Sequence, residues 1–299
     1  MNTINFNKNN SYVAILAGGV RSSSLSENSP YYPNEFLDIL NSGETLLQAT
    51  LRRFVAFIPI ENIFAITAEE YVGIVGQQLS ELPKENILGE PESKNTAVCV
   101  AYISAKLLEI NPETNLIIAP SDHQIGKEDV FLESCITGLQ FTQKYNVFVT
   151  LGIKPNHPNE GLGYINFGQP IVGDNAVHEV YDFTEKPDRE KAEILLAQGD
   201  YLWNSGIFIG KATVLMDALS KFQPVMFRLF DKVKRHLNSS NEKAVIKTIY
   251  QKCPTISIDY AVMEYVENIF VIPSSFEWDD MGTQISALKN FAKDEVEIH

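Results

Sequence analysis

Apolar positions along the chain follow two rhythms that take turns. Short unbroken runs read as buried strands: Val13-Ala14-Ile15-Leu16, NIFAIT at 62–67, NLIIA at 115–119 and NVFVTL at 146–151. Between them the apolar positions recur at helical spacing. Residues 44–57 (ETLLQATLRRFVAF) place Leu47, Thr50, Leu51, Phe54 and Val55 on one face. The same pattern predicts helices over 69–82, 94–110 and 130–144, with a short strand near Ile87 and Leu88. Strands alternating with helices of this length predict βαβ units: an α/β, Rossmann-like fold with a mostly parallel central sheet and helices on both faces.

The second half has a different texture. Strands are predicted at 163–167, 176–184 and 201–209, separated by turn-rich stretches such as 154–161. Helices follow at 189–198, 212–219, 225–237 and 242–250, another is predicted over 259–266, and NIFVI at 268–272 reads as a last strand. No repeat, low-complexity tract or flexible linker interrupts the chain, so residues 1–299 are expected to form a single domain with an elaborated second half.

Charge narrows the partners. A net charge of −14 over 299 residues argues against nucleic acid or an anionic membrane. It leaves room for a small phosphorylated ligand, because a few cations and a metal reverse the field within one cleft. Cys99, Cys135 and Cys253 lack metal-ligand spacing and read as reduced core thiols. The polar N-terminus, MNTINFNKNN, has no signal-peptide core, and no apolar run reaches the roughly 20 residues of a membrane span. A soluble, cytoplasmic protein is expected.

Candidate chemistry gathers at strand ends, where α/β sheets bind ligands. The pair Gly18-Gly19 closes the first strand and opens a polar loop to Leu37, and glycines there let backbone N–H groups approach a phosphate. Asp122 directly follows the strand at 115–119 and is placed either to hold a metal or to cap a turn; Asp280 has the same two readings. Glu185-Lys186-Pro187 offers an acceptor for sugar hydroxyls beside a cation for phosphate, or an ordinary surface pair. Trp203-Asn204-Ser205-Gly206 reads as a sugar pocket or a structural turn, and His123 as a hydrogen-bonding neighbour rather than a catalytic group.

Taken in order, these motifs resemble those of the mannose-1-phosphate guanylyltransferases, within the sugar-1-phosphate nucleotidylyltransferases. The resemblance runs from Val13 to about Ala287. Its segments are Ile15-Leu16-Ala17-Gly18-Gly19, Tyr32-Pro33 with Phe36-Leu37, Glu90-Pro91 with Lys94-Asn95-Thr96-Ala97, and Pro120-Ser121-Asp122-His123. They continue through Gly161 to Ile165, Phe183 to Pro187, Trp203 to Gly206, Ser257 to Glu264 and Trp278 to Gly282. The resemblance implies that a sugar 1-phosphate and a nucleoside triphosphate, GTP by analogy, react to give a nucleotide sugar and pyrophosphate. It assigns Leu16, Ala17, Gly18, Gly19, Lys94, Asn95, Thr96 and Ser121 to the nucleotide. Gly163, Tyr164, Glu185, Lys186 and Asn204 fall to the sugar phosphate, and Asp122 and Asp280 to Mg²⁺ and catalysis. Residues 12–150 then form a nucleotide-binding half and 151–290 a sugar-phosphate-binding half, with no room beyond for the isomerase domain of longer members. A homo-oligomer is left open.

The first loop departs from the family pattern. The family's loop arginine falls on Ser23, its lysine on Asn34 and its second loop glycine on Arg21, while the lysine after the Glu264 position is Tyr265. Serine and asparagine donate hydrogen bonds but leave phosphate charge uncompensated. Arg21 is therefore expected to join the catalytic set, with Lys94 or a partner's side chain as substitutes. Two readings follow: an active nucleotidylyltransferase, or a weakened homologue that binds nucleotide sugar as a regulatory subunit. A dinucleotide-dependent dehydrogenase is disfavoured, because no G-x-G-x-x-G follows the first strand.

Overall fold

The computed structural model describes residues 6–18 and 32–282. Within them the first half alternates as the hydrophobic pattern predicts: β1 (Ser11–Leu16), α1 (Leu46–Val55), β2 (Ile63–Ala68), α2 (Val72–Gln78), β3 (Ile87–Glu90), α3 (Thr96–Ile110) and β4 (Asn115–Pro120). A short strand β5 (His123–Ile125), helix α4 (Glu128–Lys144) and β6 (Phe148–Ile153) complete it. The second half adds β7 (Tyr164–Ile171), β8 (Asp174–Thr184), α5 (Arg189–Gln198), β9 (Tyr201–Lys211), α6 (Ala212–Phe222), α7 (Pro224–Val233), α8 (Glu242–Tyr250), β10 (Ile269–Ser274) and β11 (Trp278–Asp280).

Nine strands form one sheet in the order β3-β2-β1-β4-β9-β6-β10-β8-β7. The first four pair in parallel, as does β6 with β10; the remaining neighbours, β7, β8 and β9 among them, pair antiparallel. The parallel order expected from the βαβ rhythm thus holds on one side and gives way to a mixed sheet on the other. Strand β9 lies between β4 and β6, so a strand of the second half is built into the first.

Period-two alternation divides the core between the two faces. Ala14, Phe64, Ile66, Leu116 and Ile118 point to the layer of α3, α6, α7 and α8. Val13, Ile15, Ile63, Ala65 and Ile117 point to the layer that α1, α2 and α4 cover. Burial on both faces explains why these strands read as unbroken apolar runs.

Helix ends follow local chemistry. A capping box joins Thr45 and Gln48 at the start of α1, and Pro224 opens α7. Helix α3 begins at Thr96, later than the periodicity suggests, because Asn95 adopts φ +65° and its side chain accepts the Thr96 N–H at 2.7 Å. Sequence pattern misses β5 and β11 entirely, since three residues carry no periodicity. Cys99, Cys135 and Cys253 are buried free thiols, as expected of core cysteines. None of the described helices is long and apolar enough to cross a membrane.

Phe131 of α4 connects this core to the last strand. Its ring meets Phe54 of α1 edge-on at 5.8 Å and Phe276, just before β11, at 5.3 Å. Phe131→Ala is expected to lower unfolding free energy by about 3–5 kcal/mol, read from chemical denaturation.

Candidate active site

The carboxyl ends of β1 and β4 are tied together by Ser121, whose N–H and hydroxyl both donate to the Leu16 carbonyl, at 3.1 and 2.8 Å. Ala17 donates its N–H to Ile66 at 2.8 Å. Gly18 follows with φ +144°, and its N–H donates to Glu35 Oε1 at 2.7 Å. A buried carboxylate is therefore seated on the glycine amide that the sequence offers to a phosphate. Asn34, at the family's lysine position, is buried beside it. Gly19, Arg21 and Ser23 lie outside the described residues, and so does the expectation that Arg21 replaces the lost cation.

Asp122 and Asp280 meet. Strand β11 pairs antiparallel with β5, setting Asp280 opposite His123, and the Met281 N–H donates to the Asp122 carbonyl at 3.2 Å. Asp122, His123 and Asp280 each bring a ligand-type atom within 4.8 Å of the others. The indole Nε1–H of Trp278 donates to His123 Nδ1 at 3.2 Å, which leaves the ring proton on Nε2. His123 Nε2 lies 3.9 Å from Asp122 Oδ1, and burial pushes the imidazole pKa down to about 4. Burial, reinforced by the charge of Asp280, pushes Asp122 up to about 7. Gly282 completes the pocket: a Cβ there would stand 2.6 Å from Asp122 Oδ2. Two facing carboxylates suit magnesium, which takes one or two protein oxygens and completes its octahedron with phosphate and water.

Several of the residues that the resemblance assigns to a sugar phosphate form a second cluster. Glu185, in the turn after β8, is buried; Lys186 Nζ donates to its Oε1 at 2.5 Å, while Oε2 is buried with no partner. Gly163 lies against that bare oxygen, and any side chain at 163 would overlap it. Asn204 accepts at Oδ1 from Thr150 Oγ1 and the Gly206 N–H, at 3.1 and 3.0 Å, and donates from Nδ2 to Asp259 Oδ1 at 3.0 Å. Asp259 opens a π-helical turn (Asp259–Met263), a local widening frequent at functional sites. The Glu185 N–H donates to Glu264 Oε1 at 2.9 Å. Burial and then Asp259 raise Glu185 to about 7, while Lys186 is held above the usual lysine range because Glu185 and Asp259 outweigh the cost of its burial.

Two contacts join the clusters. Gly206, at φ +69°, brings β9 against Pro120, two residues before Asp122; a Cβ on Gly206 would stand 3.5 Å from the proline ring. Thr96 Oγ1 accepts the Ile258 N–H at 2.9 Å, beside Asp259. Lys94 and Ala97 exchange backbone bonds with Ile256, and the Lys94 ammonium lies 3.5 Å from Glu92. Tyr164 is fully buried and its hydroxyl accepts the Asn159 N–H at 2.8 Å, so its ring braces the 154–161 segment instead of facing a ligand. Sequence reasoning missed Asp259, Glu264 and Glu90. Glu90, at the end of β3, accepts from Tyr250 Oη at 2.7 Å, and burial raises it to about 7. All three lie in segments that carry the resemblance, where no role was assigned to them.

With the geometry in place, comparison with known proteins is direct. Residues 13–297 match the family model for nucleotidyl transferases, and the chain belongs to that family. Mannose-1-phosphate guanylyltransferase 2 of Escherichia coli O157:H7 is 34% identical over 279 residues, covering 90% of this chain and 57% of its own length. Mannose-1-phosphate guanylyltransferase of Klebsiella pneumoniae is 32% identical over 285 residues, covering 94% and 60%. The chain thus spans less than two thirds of the curated relatives it matches. Among solved structures, mannose-1-phosphate geranyltransferase from Thermus thermophilus superposes with a TM-score of 0.79 at 28% identity, over 91% of this chain and 76% of that one. A UDP-glucose pyrophosphorylase, at 12% identity and a TM-score of 0.51 over 95% and 99% of the two chains, shares the fold alone.

The buried carboxylates set a pH dependence. Asp122, Glu185 and Glu90 have folded pKa values near 7, well above the unfolded carboxylate range. The folded state then holds more protons than the unfolded one between about pH 4 and 7, so stability is fullest below that window and falls as pH rises through it. Thermal unfolding without metal should show this decline. Millimolar Mg²⁺ should raise the midpoint more at pH 8 than at pH 5, since only ionised carboxylates ligate.

Proposed function

We propose that the chain transfers a guanylyl group from GTP to a sugar 1-phosphate, mannose 1-phosphate in the first instance, releasing pyrophosphate. The observation that carries this reading is the junction of two clusters at one sheet edge. Asp122 and Asp280 suit a divalent ion, and Glu185, Lys186 and Asn204 suit a phosphorylated sugar, with β9 packed against Pro120 between them. The relatives' names support the choice of sugar and nucleotide.

A phosphate oxygen of the sugar phosphate attacks the α-phosphorus in line; the new P–O bond forms as the bond to the bridging oxygen of pyrophosphate breaks. The protein's work is to position and to compensate charge. Lys186 holds the attacking phosphate as a point charge, and the bare Glu185 Oε2 accepts a sugar hydroxyl that Gly163 leaves room to approach. Asp122 and Asp280 would hold Mg²⁺, which would supply positive charge to the phosphate oxygens. Register sets Glu90 beside Ala68, next to the strand that carries Gly18, about 10 Å away across two strand spacings. Its carboxylate suits the paired N1–H and N2–H donors of guanine.

Pyrophosphate release with GTP, mannose 1-phosphate and Mg²⁺ tests the reading. Turnover is expected; Asp122→Asn should lower kcat at least 10²-fold, and Glu185→Gln should raise KM for the sugar phosphate more than it lowers kcat. No turnover by folded protein with any common nucleoside triphosphate or sugar phosphate would overturn it.

The first loop gives a separate test. Ser23→Arg with Asn34→Lys restores the two cations of the family pattern, and kcat is expected to rise at least tenfold, arginine being worth about 10³ or more at phosphoryl-transfer sites. No gain would contradict the charge-loss account of this loop.

A further inference from the structure

A cavity of about 140 Å³ opens between the 39–46 segment, α1, β5 and the start of α4. Ser42, Ala49, Arg52, Arg53, Gln124 and Glu128 are among its walls. It is smaller than the roughly 300 Å³ of ordinary small-molecule pockets, yet has room for several waters.

Its two arginines are compensated very unequally. Arg52, half-exposed, donates to both oxygens of Glu128, at 2.7 and 2.9 Å, and to both oxygens of Glu44. Arg53 is only 4% exposed, yet its shortest approach to a carboxylate is 3.9 Å, to the Glu128 already engaged by Arg52. One terminal nitrogen donates to Thr50 Oγ1 at 2.9 Å, and the buried Nε–H has no acceptor. A guanidinium carries five donors in a fixed fork, and burying one without its acceptors is costly. Burial accordingly pulls Arg53 down to about 10. Glu44 and Glu128 line the cavity too, but both are engaged by Arg52, so Arg53 is left as a buried cation without a close carboxylate of its own.

We propose that the cavity binds one tetrahedral oxyanion of the inorganic phosphate class, anchored by Arg53, with the Gln124 side chain at its wall. The site is distinct from both clusters described above, but it touches one of them. Gln124 is the middle residue of β5, between His123 and Ile125, and pairs with Asp279. An anion held there ties α1 to the strand that follows Asp122.

Calorimetric titration with inorganic phosphate at constant ionic strength tests this, in a Lys186→Ala background that removes the other phosphate-binding cation. Binding of one phosphate is expected, competed by sulfate and not by chloride. Ala49→Leu, which fills the cavity, and Ala49→Glu, which supplies Arg53 with an internal carboxylate, should each weaken it at least tenfold. Ala49→Glu should also unfold at a higher temperature than its parent in phosphate-free buffer. Absence of binding in the parent, or undiminished binding in either folded variant, overturns the proposal.

Discussion

Three residues of antiparallel pairing hold the site together. Without the β5–β11 ribbon, Asp122 and Asp280 are simply 158 residues apart in sequence. With it, the Trp278 indole reaches His123 across 155 residues of sequence, and Asp280 comes opposite His123. The pairing is too short to be stable alone. Its stability comes from its surroundings: Phe276 packs on Phe131, and the Trp278 ring lies across His123 at 5.2 Å and Trp203 at 6.5 Å. What the ribbon creates is electrostatically unfavourable by itself: Asp122 is raised by burial and by the charge of Asp280 beside it. A divalent cation bound between them would remove that penalty, which is what the proposed metal role rests on.

The sheet supplies the second constraint. Because β9 runs antiparallel between β4 and β6, Asn204 is carried to the edge where β4 delivers Asp122. The hydrogen bonds of Asn204 to Thr150 and Asp259 then fix its amide beside the Asp259 carboxylate. Against this, the first loop carries the opposite charge from what a phosphate needs, with the buried Glu35 on the Gly18 amide. A phosphate placed on that amide would have to displace the carboxylate.

Much of this was legible in the sequence, for identifiable reasons. Buried parallel strands and amphipathic helices leave strong periodic signals, so 13–16, 62–67 and 115–119 fell where β1, β2 and β4 lie. Asp122 and Glu185 stood out because they lie just beyond the ends of such strands, whereas Asn204, read as part of a turn or a pocket, lies inside β9. The ribbon was not legible, since three-residue strands have no period and their pairing is long-range. Tyr164 was read as a ligand contact from its place in a motif, but side-chain direction depends on strand register, and register turns its ring into the core. Arg53 gave no signal at all. A charge on an apolar helix face looks like a solvated flank until its burial is seen.

The central claim is that Asp122 and Asp280 act as one divalent-metal site. Titration of Mn²⁺ followed by electron paramagnetic resonance reads it directly. One Mn²⁺ per chain, lost to a similar extent in Asp122→Asn and in Asp280→Asn, is the result predicted by the pairing of β5 with β11. Unchanged Mn²⁺ binding in either folded variant would contradict it.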